Sequence, residues 1–180
     1  IEKVEYTYYQ DVTSPTTDLG TTNDLVQVKV SRRSSSDTTS QSMVRYTQYR
    51  YISGSKLKAV FEHDDIQRVM SKLSLGTPEV VMQKADSFGT PNVKEFSSRS
   101  FTYYTADTST AAIATPFSGS ENLNTLYGGT EVAENGFVKS ETIGGCSSCG
   151  SASGATKAYF YLDISQGAIY DQNEVGKLVI

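Results

Sequence analysis

The sequence predicts a mainly β protein, an antiparallel sheet or sandwich with one short helical insert at about residues 64–88. Several short segments alternate β-branched or aromatic residues with polar ones, and this two-residue period is typical of strands. Residues that favour turns, chiefly Gly, Pro, Asn and Ser, separate these segments. Only one stretch has the period of about 3.6 residues that marks an amphipathic helix. We therefore expect a single β-rich domain over residues 1–180, or a fragment of a longer repeat protein.

The first part of the chain contains four predicted strands and one predicted loop tip. In the second of these strands, the alternation places Val26, Val28 and Val30 on one face of the sheet. The turn residues 53–55 join the last two strands into a hairpin. The strands are predicted at residues 4–9, 25–30, 43–51 and 57–61, and the loop tip at residues 34–40.

The helical insert is predicted to consist of two helices. The first has apolar residues at positions i, i+3, i+4 and i+7, which lie on one helix face. We expect Asp64 or Asp65 to cap this helix and Gly76 to end it. Thr77 is the expected N-cap of the second helix, with Pro78 at its first position. The apolar positions of the first helix are Ile66, Val69, Met70 and Leu73.

The second half of the chain returns to predicted strands. Asn135 and Gly136 form the strongest hairpin signal, because these two residue types accommodate the positive φ angles of a type I′ turn. Strands are predicted at residues 99–104, 158–163 and 177–180, and a short apolar stretch lies at residues 111–114.

Aromatic alternation recurs along the chain, at spacings too irregular for a strict solenoid. In a strand, alternate tyrosine rings pack against neighbouring strands while their hydroxyls stay near water. Tyrosine also favours strands in general, so the recurrence by itself does not require a repeat. The recurring aromatic residues include Tyr49, Tyr51, Phe101, Tyr103, Tyr159 and Tyr161.

Two of these aromatic segments resemble the units of bacterial RHS/YD-repeat proteins, in which Tyr-x-Tyr-Asp precedes Gly and an apolar strand. Residues 159–163 with the later residues 176–178 match this pattern, and so do residues 49–51 with residues 53–57. The glycine-flanked element at residues 144–150, before an aromatic strand, is also similar to such proteins. The resemblance implies a large secreted or surface protein whose strands form a wall, and the wall itself is not an enzyme.

The most conspicuous chemical motif is the pair Cys146 and Cys149 in a glycine-flanked turn. The pair is compatible with a short-loop disulfide, which suits an oxidising, extracellular setting. It is also compatible with half of a zinc site that His63, carboxylates or a second chain would complete. A redox pair and free thiols are further alternatives, although a redox pair favours a helix N-terminus and the flanking glycines favour a loop.

The composition disfavours several functional classes. Lys and Arg number 16 against 20 Asp and Glu, so a basic surface for nucleic acid is not expected. A catalytic triad would have to use His63, the only histidine, whose acidic neighbours are the expected complement of a helix N-terminus. No apolar run is long enough for a membrane-spanning helix, and no cofactor is expected. The start at Ile1 suggests a processed chain or a fragment.

These patterns predict a non-catalytic structural module, outside the cell or at its surface, that self-associates through strand edges into a repeat wall or a filament. The alternative is a surface adhesion or glycan-binding module, for which Tyr127 before a glycine pair is the candidate stacking residue. The predicted strand-pairing residues are Val4, Tyr6, Tyr8, Leu178 and Ile180.

Overall fold

The computed structural model describes residues 2–32, 43–105, 130–131, 136–144, 154–159, 161–163 and 177–179. Within these residues it confirms the mainly β prediction, with ten strands and two α-helices. The strands are β1 (Glu2–Tyr8), β2 (Leu25–Arg32), β3 (Met43–Ile52), β4 (Lys56–Phe61), β5 (Arg99–Tyr103), β6 (Thr130–Glu131), β7 (Val138–Ile143), β8 (Ala155–Ala158), β9 (Tyr161–Asp163) and β10 (Lys177–Val179). The helices are α1 (His63–Leu73) and α2 (Pro78–Met82), and short 3-10 turns lie at Tyr9–Asp11, Thr17–Leu19 and Val93–Phe96.

The described strands form two antiparallel sheets. One has seven strands in the order β1-β2-β3-β4-β5-β7-β8, and the other has three in the order β10-β9-β6. By their contacts the residues divide into two compact units. The first unit comprises Ile1–Phe101 and Thr142–Ala155, and the second comprises Thr102–Glu141 and Thr156–Ile180.

The core of the first unit lies between β4 and the helical segment. Phe61 of β4 is fully buried against Ile66 and Val69, which the helical period places on the inner face of α1. Val81 of α2 and Phe96 of the last 3-10 turn close the same cluster. The helices therefore cover one face of the sheet, and this face is called the helix face below.

The second unit is held by pairs of backbone and side-chain groups. The amide of Tyr104 donates to the carbonyl of Phe137 at 2.9 Å, and the amide of Gly136 donates to the carbonyl of Tyr104 at 2.8 Å. The hydroxyl of Tyr159 donates to the buried carboxylate of Glu141 at 2.8 Å. In its three-stranded sheet, β9 lies between β10 and β6.

The helix bounds differ from the predicted ones. Glu62, rather than Asp64 or Asp65, caps α1, because its side chain and that of Asp65 form a reciprocal capping box with the backbone. The helix ends at the left-handed residue Ser74, before Gly76. Thr77 caps α2 as predicted, and the residues after Met82 continue as turns. Neither helix in the described part of the chain has the length and apolar character needed to cross a membrane.

The prediction that Val26 shares a face of the sheet with Val28 and Val30 is wrong for Val26. The β1–β2 register slips between Thr7 and Tyr8, so that Val26 is an extra residue in β2. Val26 is consequently buried with Leu19 and Met82 on the helix face, where Gln27 also lies.

Other predictions for the second half have mixed outcomes. The segment at residues 158–163 is two strands rather than one, since it contains the end of β8 and all of β9. The strand predicted at residues 99–104 is found as β5, and the end of the chain contains β10. The loop tip at residues 34–40, the apolar stretch at residues 111–114 and Asn135 of the predicted hairpin lie outside the described residues.

Candidate functional site: the free edge of β1

Strand β1 is an outer strand of the seven-stranded sheet. Among the described residues only β2 pairs with it, from Glu2 opposite Arg32 to Tyr8 opposite Leu25. The other side of β1 carries a row of backbone N–H and C=O groups toward which no described strand is directed. Such a row is the arrangement to which a further strand adds.

The apolar side chains of β1 point away from the helices. Thr7 lies in register with Gln27, and Gln27 with Gln48, whose amide reaches the carbonyl of Pro78 at the start of α2. Because strand residues alternate between faces, Val4 and Tyr6 lie on the opposite, helix-free face. Their side chains are 41% and 60% exposed, and that of Tyr8 is 40% exposed. The helix-free face of β1 is therefore an exposed apolar stripe.

Two opposite charges flank Val4 along the same strand. The Lys3 ammonium donates to the Glu5 carboxylate at 2.8 Å, and Lys29 lies 3.7 Å from the other oxygen of that carboxylate. The hydrogen bond from Lys3 is the main reason that the pKa of Glu5 lies below its usual value. Lys3 and Glu5 are not among the site residues predicted from the sequence, although the sequence places these opposite charges symmetrically on either side of Val4.

The predicted C-terminal edge is described only in part. Leu178 lies in β10, opposite Leu162 of β9, and β10 is an outer strand of the three-stranded sheet. Ile180 lies outside the described residues.

His63 lies at the first turn of α1, beside β3. Its Nδ1 accepts a hydrogen bond from the amide of Tyr46 at 3.4 Å, and the two rings stack with centroids 6.1 Å apart. A cavity of about 400 Å³ adjoins it, lined among others by Arg32, Arg45 and Glu62. No group of three metal-ligating residues occurs in the described part of the chain. The other members of the predicted zinc set, Cys146 and Cys149, lie outside that part, as does the predicted disulfide.

The carboxylates beside His63 have structural roles. Asp65 is buried, accepts a hydrogen bond from the amide of Glu62 at 2.8 Å and forms an ion pair with Arg68. Thr47 donates to the carboxylate of Glu62 at 3.3 Å. These contacts anchor α1 to β3, in keeping with the predicted complement of a helix N-terminus.

The recurring aromatic residues that the structure describes are packing residues. Burial raises the pKa of Tyr49, Tyr51 and Tyr103 above the usual value for tyrosine. The hydroxyl of Tyr51 donates to the carbonyl of Leu25 at 2.9 Å. Phe101 is half-buried in β5. Tyr159 directly follows β8, and Tyr161 is the first residue of β9.

In comparisons with known proteins, no family model matches the chain, and no match is found among curated proteins or among solved structures. The resemblance to RHS/YD-repeat proteins therefore stays a prediction. The glycan-binding alternative also stays a prediction, because Tyr127 lies outside the described residues.

Proposed function

We propose that this chain is a non-catalytic structural module that associates by strand pairing at the free edge of β1. The supporting observation is that a seven-residue outer strand has three exposed apolar side chains. An added strand would satisfy the outward backbone groups of β1, while Val4 and Tyr6 would contact its side chains on the helix-free face.

The proposed setting is outside the cell or at its surface, as part of a repeat wall or filament. Its support is compositional. The chain is rich in serine, threonine and tyrosine, and only 20% of its residues are charged. The predicted disulfide of Cys146 and Cys149 suits such a setting. A count of free thiols in native material tests the disulfide directly.

The strand-pairing proposal is tested by placing a charge on the exposed stripe. Tyr6→Glu puts a carboxylate where the added strand would pack, and the 60% exposure of Tyr6 means that the substitution should destabilise the fold little. Sedimentation velocity over a range of concentrations should show association of the native chain and a monomer for Tyr6→Glu. Negative-stain electron microscopy of the same samples distinguishes discrete particles from fibres.

Met43→Glu is the matched control for this test. Met43 is 62% exposed and lies on the same helix-free face, in register with Arg32 and Glu2, but it belongs to β3 rather than to the edge. This variant should associate like the native chain. The proposal would be overturned if the native chain stays monomeric at every concentration, or if the two variants lose association to the same extent.

A further inference from the structure

We propose that the strand added to β1 is β1 of a second copy of this chain, antiparallel, with Val4 opposite Val4 of that copy. The inference rests on the proposed function, because it names the partner and the register of the same edge. The contact at β1 would be a two-fold symmetric pair that occupies the β1 edge of both copies, so growth into a wall or filament would need a second contact elsewhere on the chain.

The backbone permits this register. In an antiparallel pair centred on one residue, positions equally far from the centre face each other, so the second copy brings Glu5 opposite Lys3 and Tyr6 opposite Glu2. Facing residues are then both odd or both even in number. Because backbone groups alternate in direction along a strand, the outward N–H and C=O groups of one copy meet those of the other.

The charges of β1 favour this register over its neighbours. Centring on Val4 places Lys3 of each copy opposite Glu5 of the other, which gives two cross-strand pairs of opposite charge. Centring on Lys3 or on Glu5 places two like charges opposite each other, which is destabilising. Centring on Tyr6 leaves Glu5 opposite Thr7, with no complementary charge.

The apolar stripe continues across the proposed contact. Val4 already lies opposite Val30 of β2, on the helix-free face. With Val4 of the second copy on its other side, four valine side chains would form one row, from Val30 of one copy to Val30 of the other. Such β-branched pairs are favourable neighbours on a sheet face. The central row of valines is therefore compatible with the register that the charges favour.

Charge exchange tests the register. Lys3→Glu makes both cross-strand pairs Glu–Glu, and Glu5→Lys makes both pairs Lys–Lys. Each variant alone should dimerise at least about tenfold more weakly than the native chain. An equimolar mixture should recover native affinity, because both pairs in the mixed dimer are again of opposite charge. Circular dichroism of each variant checks that β1 still folds, since Glu5→Lys also places an ammonium group near Lys29.

A distance measurement checks the register independently. Spin labels at Tyr8→Cys, with Cys146 and Cys149 replaced by serine, should lie about 27 Å apart in the Val4-centred pair. The corresponding separations are about 20 Å for centring on Glu5 and about 14 Å for centring on Tyr6.

The outcomes separate the register from the proposed function. Weak single variants, a recovered mixture and the long label distance support the register. If Tyr6→Glu blocks association but Lys3→Glu dimerises like the native chain, the register is overturned and strand pairing stands. If the native chain does not associate at all, the proposed function fails and the register fails with it.

Discussion

The guanidinium of Arg50 lies 2.9 Å from the carboxylate of Asp86, thirty-six residues further along the chain, and the Arg50 side chain is almost completely buried. The same group donates to the carbonyl of Lys84 at 2.8 Å and to that of Val81 at 3.0 Å. The ammonium of Lys58 contacts the other carboxylate oxygen of Asp86. These contacts attach the turn after α2 to the middle of the sheet.

Arg50→Met should lower the free energy of unfolding by about 3 kcal/mol, because it leaves buried carbonyls and a carboxylate without their main donor. Urea denaturation with a linear extrapolation measures the loss. Arg45→Met is the matched control, since Arg45 lies on the same strand but is exposed. Its effect should stay within about 0.5 kcal/mol. Similar losses in the two variants would contradict a structural role for the buried guanidinium.

The decrease in folding stability at acidic pH should depend on Asp18. Burial of this carboxylate raises its pKa. The amide of Asp86, which donates to the carboxylate at 2.9 Å, and the ammonium of Lys58 together lower the pKa by more than burial raises it. The net shift of the pKa is therefore downward. A lowered pKa gives stability that is present above the usual value and is lost as the pH falls through the folded value. Asp18→Asn lacks this contribution, so it should be less stable than the native chain at pH 7.

The difference between the native chain and Asp18→Asn should shrink as the pH falls below about 4, the usual pKa of an aspartate. Urea midpoints at several pH values measure it. Asp64→Asn removes an exposed carboxylate from the first turn of α1 and controls for the loss of one negative charge. A difference that does not change with pH would contradict the assignment to Asp18.

The sequence predicts the strands of the first unit well because their apolar period is regular. It does not predict that Arg50 and Lys58 both contact Asp86, because this arrangement depends on a register slip. Arg50 pairs with Ala59 and Tyr51 pairs with Leu57, so Lys58 is an extra residue in β4. Strict alternation would place Lys58 and Ala59 on opposite faces, whereas both Lys58 and Arg50 reach Asp86. A local pattern does not reveal a slip that tertiary contacts stabilise.

The free edge is partly readable from the sequence. Val4, Tyr6 and Tyr8 are identifiable as strand residues, and the structure adds that β1 is an outer strand. Polar residues in alternating strands are normally interpreted as solvent-facing, and this interpretation fails for Gln27 and Gln48. Both are buried because α2 covers the face on which they lie, and the position of α2 is a long-range feature.

Gln48→Glu should be strongly destabilising although it preserves the shape of the side chain. The Gln48 amide donates to the side-chain oxygen of Gln27 at 2.9 Å and to the carbonyl of Pro78 at 2.8 Å. A carboxylate would face two acceptors in a buried site, so we expect a loss of about 3 kcal/mol at pH 7. Gln67→Glu, on the exposed side of α1, should change stability by less than about 0.5 kcal/mol. Thermal unfolding of both variants compares them, and a well-folded Gln48→Glu would refute the two-donor arrangement.

Alanine should destabilise the fold at Gly20 but not at Gly76. Gly20 has a φ of 133°, and a Cβ there would lie 2.6 Å from the carboxylate of Asp24 and 3.1 Å from the ring of Tyr51. That carboxylate accepts from the amide of Thr21 at 2.7 Å, so displacing it also opens the turn before β2. Gly20→Ala should therefore cost at least about 2 kcal/mol.

Gly76 provides the matched comparison, because a Cβ there would meet no atom within 4 Å and the residue is exposed between α1 and α2. Gly76→Ala should be neutral or should stabilise the fold by about 0.4–1 kcal/mol, since alanine restricts the unfolded chain. Urea midpoints of the two variants, measured side by side, check the contrast. A loss at position 76 as large as that at position 20 would mean that steric space and the φ angle do not govern these two sites.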